Sequence, residues 1–204
     1  MKNLTISIAI IGFMAMLYAA RPFTTDDAGT VEAAGYELEI GYDFWEDEGT
    51  FGLGFKHGLT EKMDIGVGFG YCLVPEETRD FSNADFCLKY ALIPDMFSAS
   101  FTTSFGDFPF CLNGILTRFF GQTEIDANLG YSVGDSTITY ALALIYNMMK
   151  FGAGVEALGD KEGLQEWQLG GRYRILNNLA VDGGLASDFK LEAKTATLGL
   201  HYEF

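Results

Sequence analysis

The chain has two histidines, His57 and His201, and these are the first residues to ask about chemistry. His201 alternates with Thr197, Gly199 and Glu203. Glu39 would lie across from it only if the first and last extended segments of the chain meet. A histidine and a glutamate can form a proton relay or, with a third ligand, a metal site; a satisfied structural pair is the plainer reading. His57 shares its parity with Phe51, Leu53 and Phe55, faces Met63 across the next turn, and has no serine in reach. No G-x-S-x-G, H-E-x-x-H or phosphate-binding loop occurs. Cys72, Cys87 and Cys111 are odd in number and have no zinc spacing, and folding about Glu77 leaves Cys72 and Cys87 too far apart to bridge. The residue types therefore predict no catalytic group, no cofactor and no metal, so an enzyme is not expected.

Charge placement is more informative. Three turns carry a base before them and an acid after. Folding about Thr60 sets Lys56 against Asp64, folding about Gly121 sets Arg118 against Glu124, and folding about Asn177 sets Arg172 against Asp182. Neighbouring segments add Glu37, Glu39, Glu203 and Arg174 near the same end. Such pairs either fix strand register, at roughly 0.2–1 kcal/mol each, or line a charged constriction.

The elements that must hold these residues are strands. From Tyr36 onward the hydrophobic period is two: Tyr36, Leu38, Ile40, Tyr42 and Phe44 share one face, and Glu37, Glu39, Gly41 and Asp43 the other. Counting this one, about twelve such segments run to residue 204, separated by turn material such as "GLTEK", "IPD" and "LNN". The sixth is the least regular, because folding about Gly121 turns Leu112 and Leu116 toward the polar side. Aromatics are 15% of residues, glycine numbers 25, and aromatics gather near segment ends, as in interfacial girdles. A soluble sandwich and a transmembrane barrel both fit twelve alternating strands. The small, polar faces (Ser98, Ser100, Thr102, Ser104; Gly66, Gly68, Gly70) and the even count favour an all-β, closed antiparallel transmembrane β-barrel over residues 36–204. The net charge of −15 excludes nucleic acid as a partner.

Residues 1–20 have Lys2, an apolar run and small residues at Ala19 and Ala20, which reads as a cleaved signal peptide and hence export. Residues 21–35 lack alternation and are either a periplasmic segment or a plug in the glycine-lined lumen. With the N-terminus periplasmic, the outer loops include the acidic "EDEG", "PEETRD" and "GDKEG". These are either solvated or bridged by divalent cations to lipopolysaccharide.

The closing "GLHYEF" resembles the last strand of bacterial outer-membrane barrels, and the resemblance implies that Tyr202 and Phe204 form the signal read by the barrel assembly machinery. The stretch "RPFTTDDAGTVEAAGYELEIGYDF" at 21–44 is similar to the start of the outer-membrane transporter family associated with the phenol meta-cleavage pathway. Together these imply a protein in a Gram-negative-type outer membrane, in contact with lipid and lipopolysaccharide, passing small solutes as a passive channel. The alternatives are a structural barrel with a closed lumen and a lipid-modifying enzyme. The twelve-stranded outer-membrane phospholipase is the comparison for the enzyme, and it acts from the outer leaflet, whereas His57 adjoins a periplasmic turn.

Overall fold

The computed structural model describes residues 22–45, 48–75, 80–106, 110–134, 136–192 and 194–204. The expected signal peptide and parts of the acidic loops, residues 46–47 and 76–79, lie outside the described residues. Alternation becomes twelve strands: β1 (Tyr36–Trp45), β2 (Glu48–Thr60), β3 (Met63–Val74), β4 (Asp85–Ile93), β5 (Phe97–Ser104), β6 (Phe110–Phe120), β7 (Thr123–Ser132), β8 (Thr137–Met148), β9 (Phe151–Asp160), β10 (Gly163–Leu176), β11 (Leu179–Asp188) and β12 (Lys194–Glu203). Each pairs antiparallel with its neighbours, and β1 closes on β12 to form one barrel without edges. No described helix is long and apolar enough to cross a membrane.

Burial is inverted relative to a water-soluble core. Leu198, Leu129 and Leu185 are 67%, 63% and 61% exposed, while Glu156 and Asp126 are 1% and 2% exposed. An apolar outer wall of this extent suits hydrocarbon, and a sealed ladder leaves that medium no unpaired backbone.

Both chain-end strands meet at what we term the near end of the barrel. There Tyr36 and Phe204 exchange backbone hydrogen bonds of 2.8 and 2.9 Å. The Tyr36 ring stacks on Phe204 at 5.4 Å and on His57 at 4.4 Å.

Two expected registers are corrected. The turn between β6 and β7 is Gly121–Gln122, with Gly121 at φ 66°, and it pairs Phe120 with Thr123. Arg118 therefore lies across from Ile125, and Phe119 across from Glu124. A one-residue change of fold point exchanges the faces of a strand. Leu112, Leu116 and Arg118 are thus on the outer face, and Ile115 and Thr117 on the inner one, where the Thr117 hydroxyl donates to Asp126 Oδ1 at 2.5 Å. At the β2–β3 turn a bulge between Gly58 and Thr60 pairs Gly58 with Asp64 and Lys56 with Gly66. His57 accordingly lies across from Ile65 rather than Met63.

Candidate functional site

The lumen wall carries buried Glu39, Asp43, Asp64, Asp85, Lys89, Asp126, Glu156, Gln168, Asp182 and His201. Inward parity on β1, β2 and β12 brings five of the expected charges together at the near end. Register pairs Glu37 with both Lys56 and Glu203, and Glu39 with His201. Lys56 Nζ is 2.7 Å from Glu37 Oε1 and 3.8 Å from Glu39 Oε2. His201 Nδ1 is 3.2 Å from Glu39 Oε1, and its Nε2 is 3.0 Å from Glu203 Oε1.

The other candidates are distributed around the wall. Arg172 faces Asp182 across β10 and β11, since the bulge between Arg174 and Leu176 restores the expected parity. Asp182 lies over Gly199 of β12, where a β-carbon would come within 2.3 Å of its carboxylate. Arg174 is exposed at the near end, and Glu124 accepts from Asn147 Nδ2 at 2.7 Å. Asp64 is in register with Lys89 of β4 instead of Lys56.

Residues 22–35 make an ordered set of hydrogen bonds with this wall. The carboxylate of Glu156 accepts from the backbone N–H groups of Thr24 and Thr25, both at 2.8 Å, and from the Thr25 hydroxyl at 2.6 Å. Asn128 takes the Asp26 N–H and returns a bond to the Asp26 carbonyl. Thr117 accepts from Ala28 N–H, Ser98 donates to the Ala28 carbonyl, and Asp64 accepts from Val31 N–H. Gln168 donates to the Pro22 carbonyl.

Lys89 binds the middle of this stretch. Its ammonium reaches Asp26 Oδ1 at 2.9 Å and the carbonyls of Asp27 and Gly29 at 3.0 Å each, which uses all three of its protons. Burial pushes the Asp26 carboxyl up, to about 6, against the attraction of Lys89. Where the stretch reaches β2, Gly58 is needed for close approach: a β-carbon there would be 1.9 Å from the Glu32 carbonyl oxygen. Beside the stretch a cavity of about 360 Å³ remains, with Arg172 and Arg174 among its basic lining and Asp27, Glu124 and Asp126 among its acidic lining.

The sequence reading did not single out Lys89, Glu156, Asn128 or Gln168. Two of them carry a signal that parity could have revealed. Lys89 is the cation in mid-strand on the polar face of β4, and Glu156 is the acid within the small-residue run "GAGVEALG".

No family model matches the chain, and no curated protein matches it. Solved structures do. The KdgM porin gives a TM-score of 0.67 at 12% identity, over 82% of this chain and 99% of that one. The COG4313 outer membrane channel from Pseudomonas putida F1 gives 0.57 at 11% identity, over 87% and 98%. The fold is that of an outer-membrane barrel. Outer membrane phospholipase A from Escherichia coli shares it, with a TM-score of 0.52 at 14% identity over 95% and 96%. At these identities the likeness is one of fold, and the barrel's residues must carry any functional reading.

Proposed function

We propose that the barrel is a passive channel for small hydrophilic solutes in the outer membrane of a Gram-negative-type bacterium, with residues 22–35 acting as a plug inside its lumen. The observation that carries this reading is the inverted wall: an apolar exterior around an inner face of buried carboxylates, hydroxyls and a few ammonium and guanidinium groups. Such a lumen is costly to build for a purely structural barrel, since each buried polar group needs a partner. Acids outnumber bases on the inner face, which favours cationic solutes. This differs from the KdgM porin, which has been solved in complex with disordered oligogalacturonate, a polyanion. The resemblance of residues 21–44 to the phenol meta-cleavage transporters would make aromatic compounds the cargo. An apolar inner lining would support that cargo, but β6, the strand expected to supply it, turns Leu112 and Leu116 outward.

In this reading a cleaved signal peptide exports the chain, the near end is periplasmic, Tyr202 and Phe204 address the assembly machinery, and the outer surface meets lipid and lipopolysaccharide. Glu37, Glu39, Lys56, His201 and Glu203 form one side of a charged constriction, with Arg172, Arg174, Asp182, Asp64 and Glu124 around the rest of that end. No catalysis is assigned. Among the described residues, the hydrogen bonds of the histidines go to the Gly35 carbonyl, Glu39 and Glu203, and none goes to a serine.

The test is single-channel current in a planar bilayer, comparing the refolded chain with a variant lacking residues 22–33, each first shown to be folded by heat-modifiable gel migration. The reading expects rare or small steps from the full chain and large, cation-favouring steps from the variant. Equal large steps from both would remove the plug, and silence from both folded proteins would leave the closed structural barrel.

A further inference from the structure

We propose that the seam between the first and last strands is a binding site for a divalent transition-metal ion of the Zn²⁺ class, held by Glu37, His201 and Glu203. The first of these lies on β1 and the other two on β12, so the site exists only because the barrel closes. Ligand atoms of the three residues lie within 4.8 Å of one another. His201 Nε2 is 3.0 Å from Glu203 Oε1 and 3.8 Å from Glu37 Oε2. A tetrahedral zinc with bonds near 2.1 Å needs neighbouring ligand atoms about 3.4 Å apart, so small side-chain rotations close the set around an ion.

The groups behind these ligands point the same way. Glu39 Oε1 holds His201 Nδ1 at 3.2 Å, which leaves Nε2 to face Glu37 and Glu203. A carboxylate on the far nitrogen is what orients and strengthens a metal-bound imidazole. Lys56 takes Glu37 Oε1 at 2.7 Å, so the other oxygen, Oε2, is the one turned toward His201.

Glu39 stands behind the imidazole, shared between His201 Nδ1 and the Lys56 ammonium. It is 4% exposed, yet its Oε2 has no hydrogen-bond partner, and the nearest ammonium, that of Lys56, is 3.8 Å away. The mixed imidazole and carboxylate donors favour zinc-like ions over magnesium or calcium, which prefer oxygen alone. Glu203 is 61% exposed at the side chain, so an ion can enter from the near end and keep water as its fourth ligand.

The experiment uses the full chain, folded in detergent and verified by heat-modifiable migration, titrated with Zn²⁺ against a chromophoric chelator. The wild type and H57A are expected to bind one Zn²⁺ per barrel at micromolar or lower concentration. Glu203→Gln, conservative and at an exposed position, should weaken binding at least tenfold, as should His201→Gln. Glu39→Gln should weaken it by about 10- to 100-fold without removing a ligand. Zn²⁺ should also raise the temperature at which the folded gel band is lost in the wild type, and not in Glu203→Gln. A folded wild type that binds no Zn²⁺ overturns the site, as does binding that is unchanged in both Glu203→Gln and His201→Gln. A thermal shift of equal size in wild type and Glu203→Gln would place the ion elsewhere and has the same consequence.

Discussion

Replacing Lys89 with methionine tests the plug at its strongest point. Methionine keeps much of the aliphatic stem and removes the ammonium that contacts Asp26, Asp27 and Gly29 at 2.9–3.0 Å. Lys89 is 5% exposed and Asp26 is 7% exposed, so the surviving carboxylate would stay buried without its cation. Removing one partner of a buried pair costs about 3–5 kcal/mol. At about 1.4 kcal/mol per tenfold, the docked state should lose roughly two to three and a half orders of magnitude in population relative to the undocked one. The barrel itself should be little changed, because an empty lumen admits water to the wall. The assay is the ratio of closed to open dwell times in a planar bilayer, which should collapse in Lys89→Met. Adding Asp26→Asn to Lys89→Met removes the stranded charge, so the double variant should close more often than the single one. A folded Lys89→Met barrel whose dwell ratio stays within threefold of wild type refutes the reasoning.

Three further perturbations probe other parts of the same structure. Gly58→Val puts a β-carbon where the Glu32 and Val31 carbonyl oxygens sit, at 1.9 and 2.5 Å, while leaving a β-branched residue that a strand accepts; it should open the channel as truncation does, and unaltered current would show that residues 31–32 do not lie there. Gly199→Ala crowds the Asp182 carboxylate at 2.3 Å. Overpacking of that kind costs about 1–3 kcal/mol, read as a lower urea midpoint, and an unchanged midpoint would mean that Asp182 is not held against Gly199. Phe204→Ala loses ring contacts with Tyr36 and Tyr202, both at 5.4 Å, worth about 0.5–1.5 kcal/mol per pair. In vitro refolding should therefore survive while assembled barrel in cells falls much further, and equal losses in the two settings would remove Phe204 as an assembly signal.

The strands were legible because side-chain period and turn chemistry agree. The segment expected over 110–120 is the observed β6, and the pairing of Arg172 with Asp182 follows from folding about Asn177. What period alone cannot settle is which face of a strand points inward when a turn gains or loses one residue. That single residue at Gly121 moved Arg118 from the expected lumen to the outer wall. Bulges have the milder effect seen at Gly58, where Asp64 slid two positions from Lys56 and met Lys89 instead. The seam pair of Glu39 and His201 was accessible because closure of first on last strand dictates it. The same register sets Glu37 against Glu203, two residues that the sequence had placed only near the same end. Contacts of residues 22–31 were beyond any local pattern, since they gather side chains from strands β3 to β10, more than 100 residues apart at the extremes.

The chemistry of the socket bears on whether such a plug can leave. An apolar socket would expose hydrocarbon to water on opening, at about 25 cal/mol per Å². Here most of the contacts that part are polar: the Glu156 carboxylate and the N–H groups of Thr24 and Thr25, the Asn128 amide and the Asp26 backbone, and the Lys89 ammonium and its three oxygens, with Phe23 and Ala28 as the buried apolar residues of the segment. Water can replace each of these bonds, so each neutral one contributes only about 0.5–1.5 kcal/mol net to docking. The same groups that order the segment are those a hydrated lumen would leave solvated. Ordering a flexible stretch costs about 1–2 kcal/mol per residue in backbone entropy, and a dozen residues therefore oppose docking by an amount comparable to what these bonds supply. For the proposed plug, a polar socket brings the docked and undocked states closer in free energy than an apolar one would. That is the condition under which removing one ammonium, or filling the space at one glycine, changes how often the lumen is open.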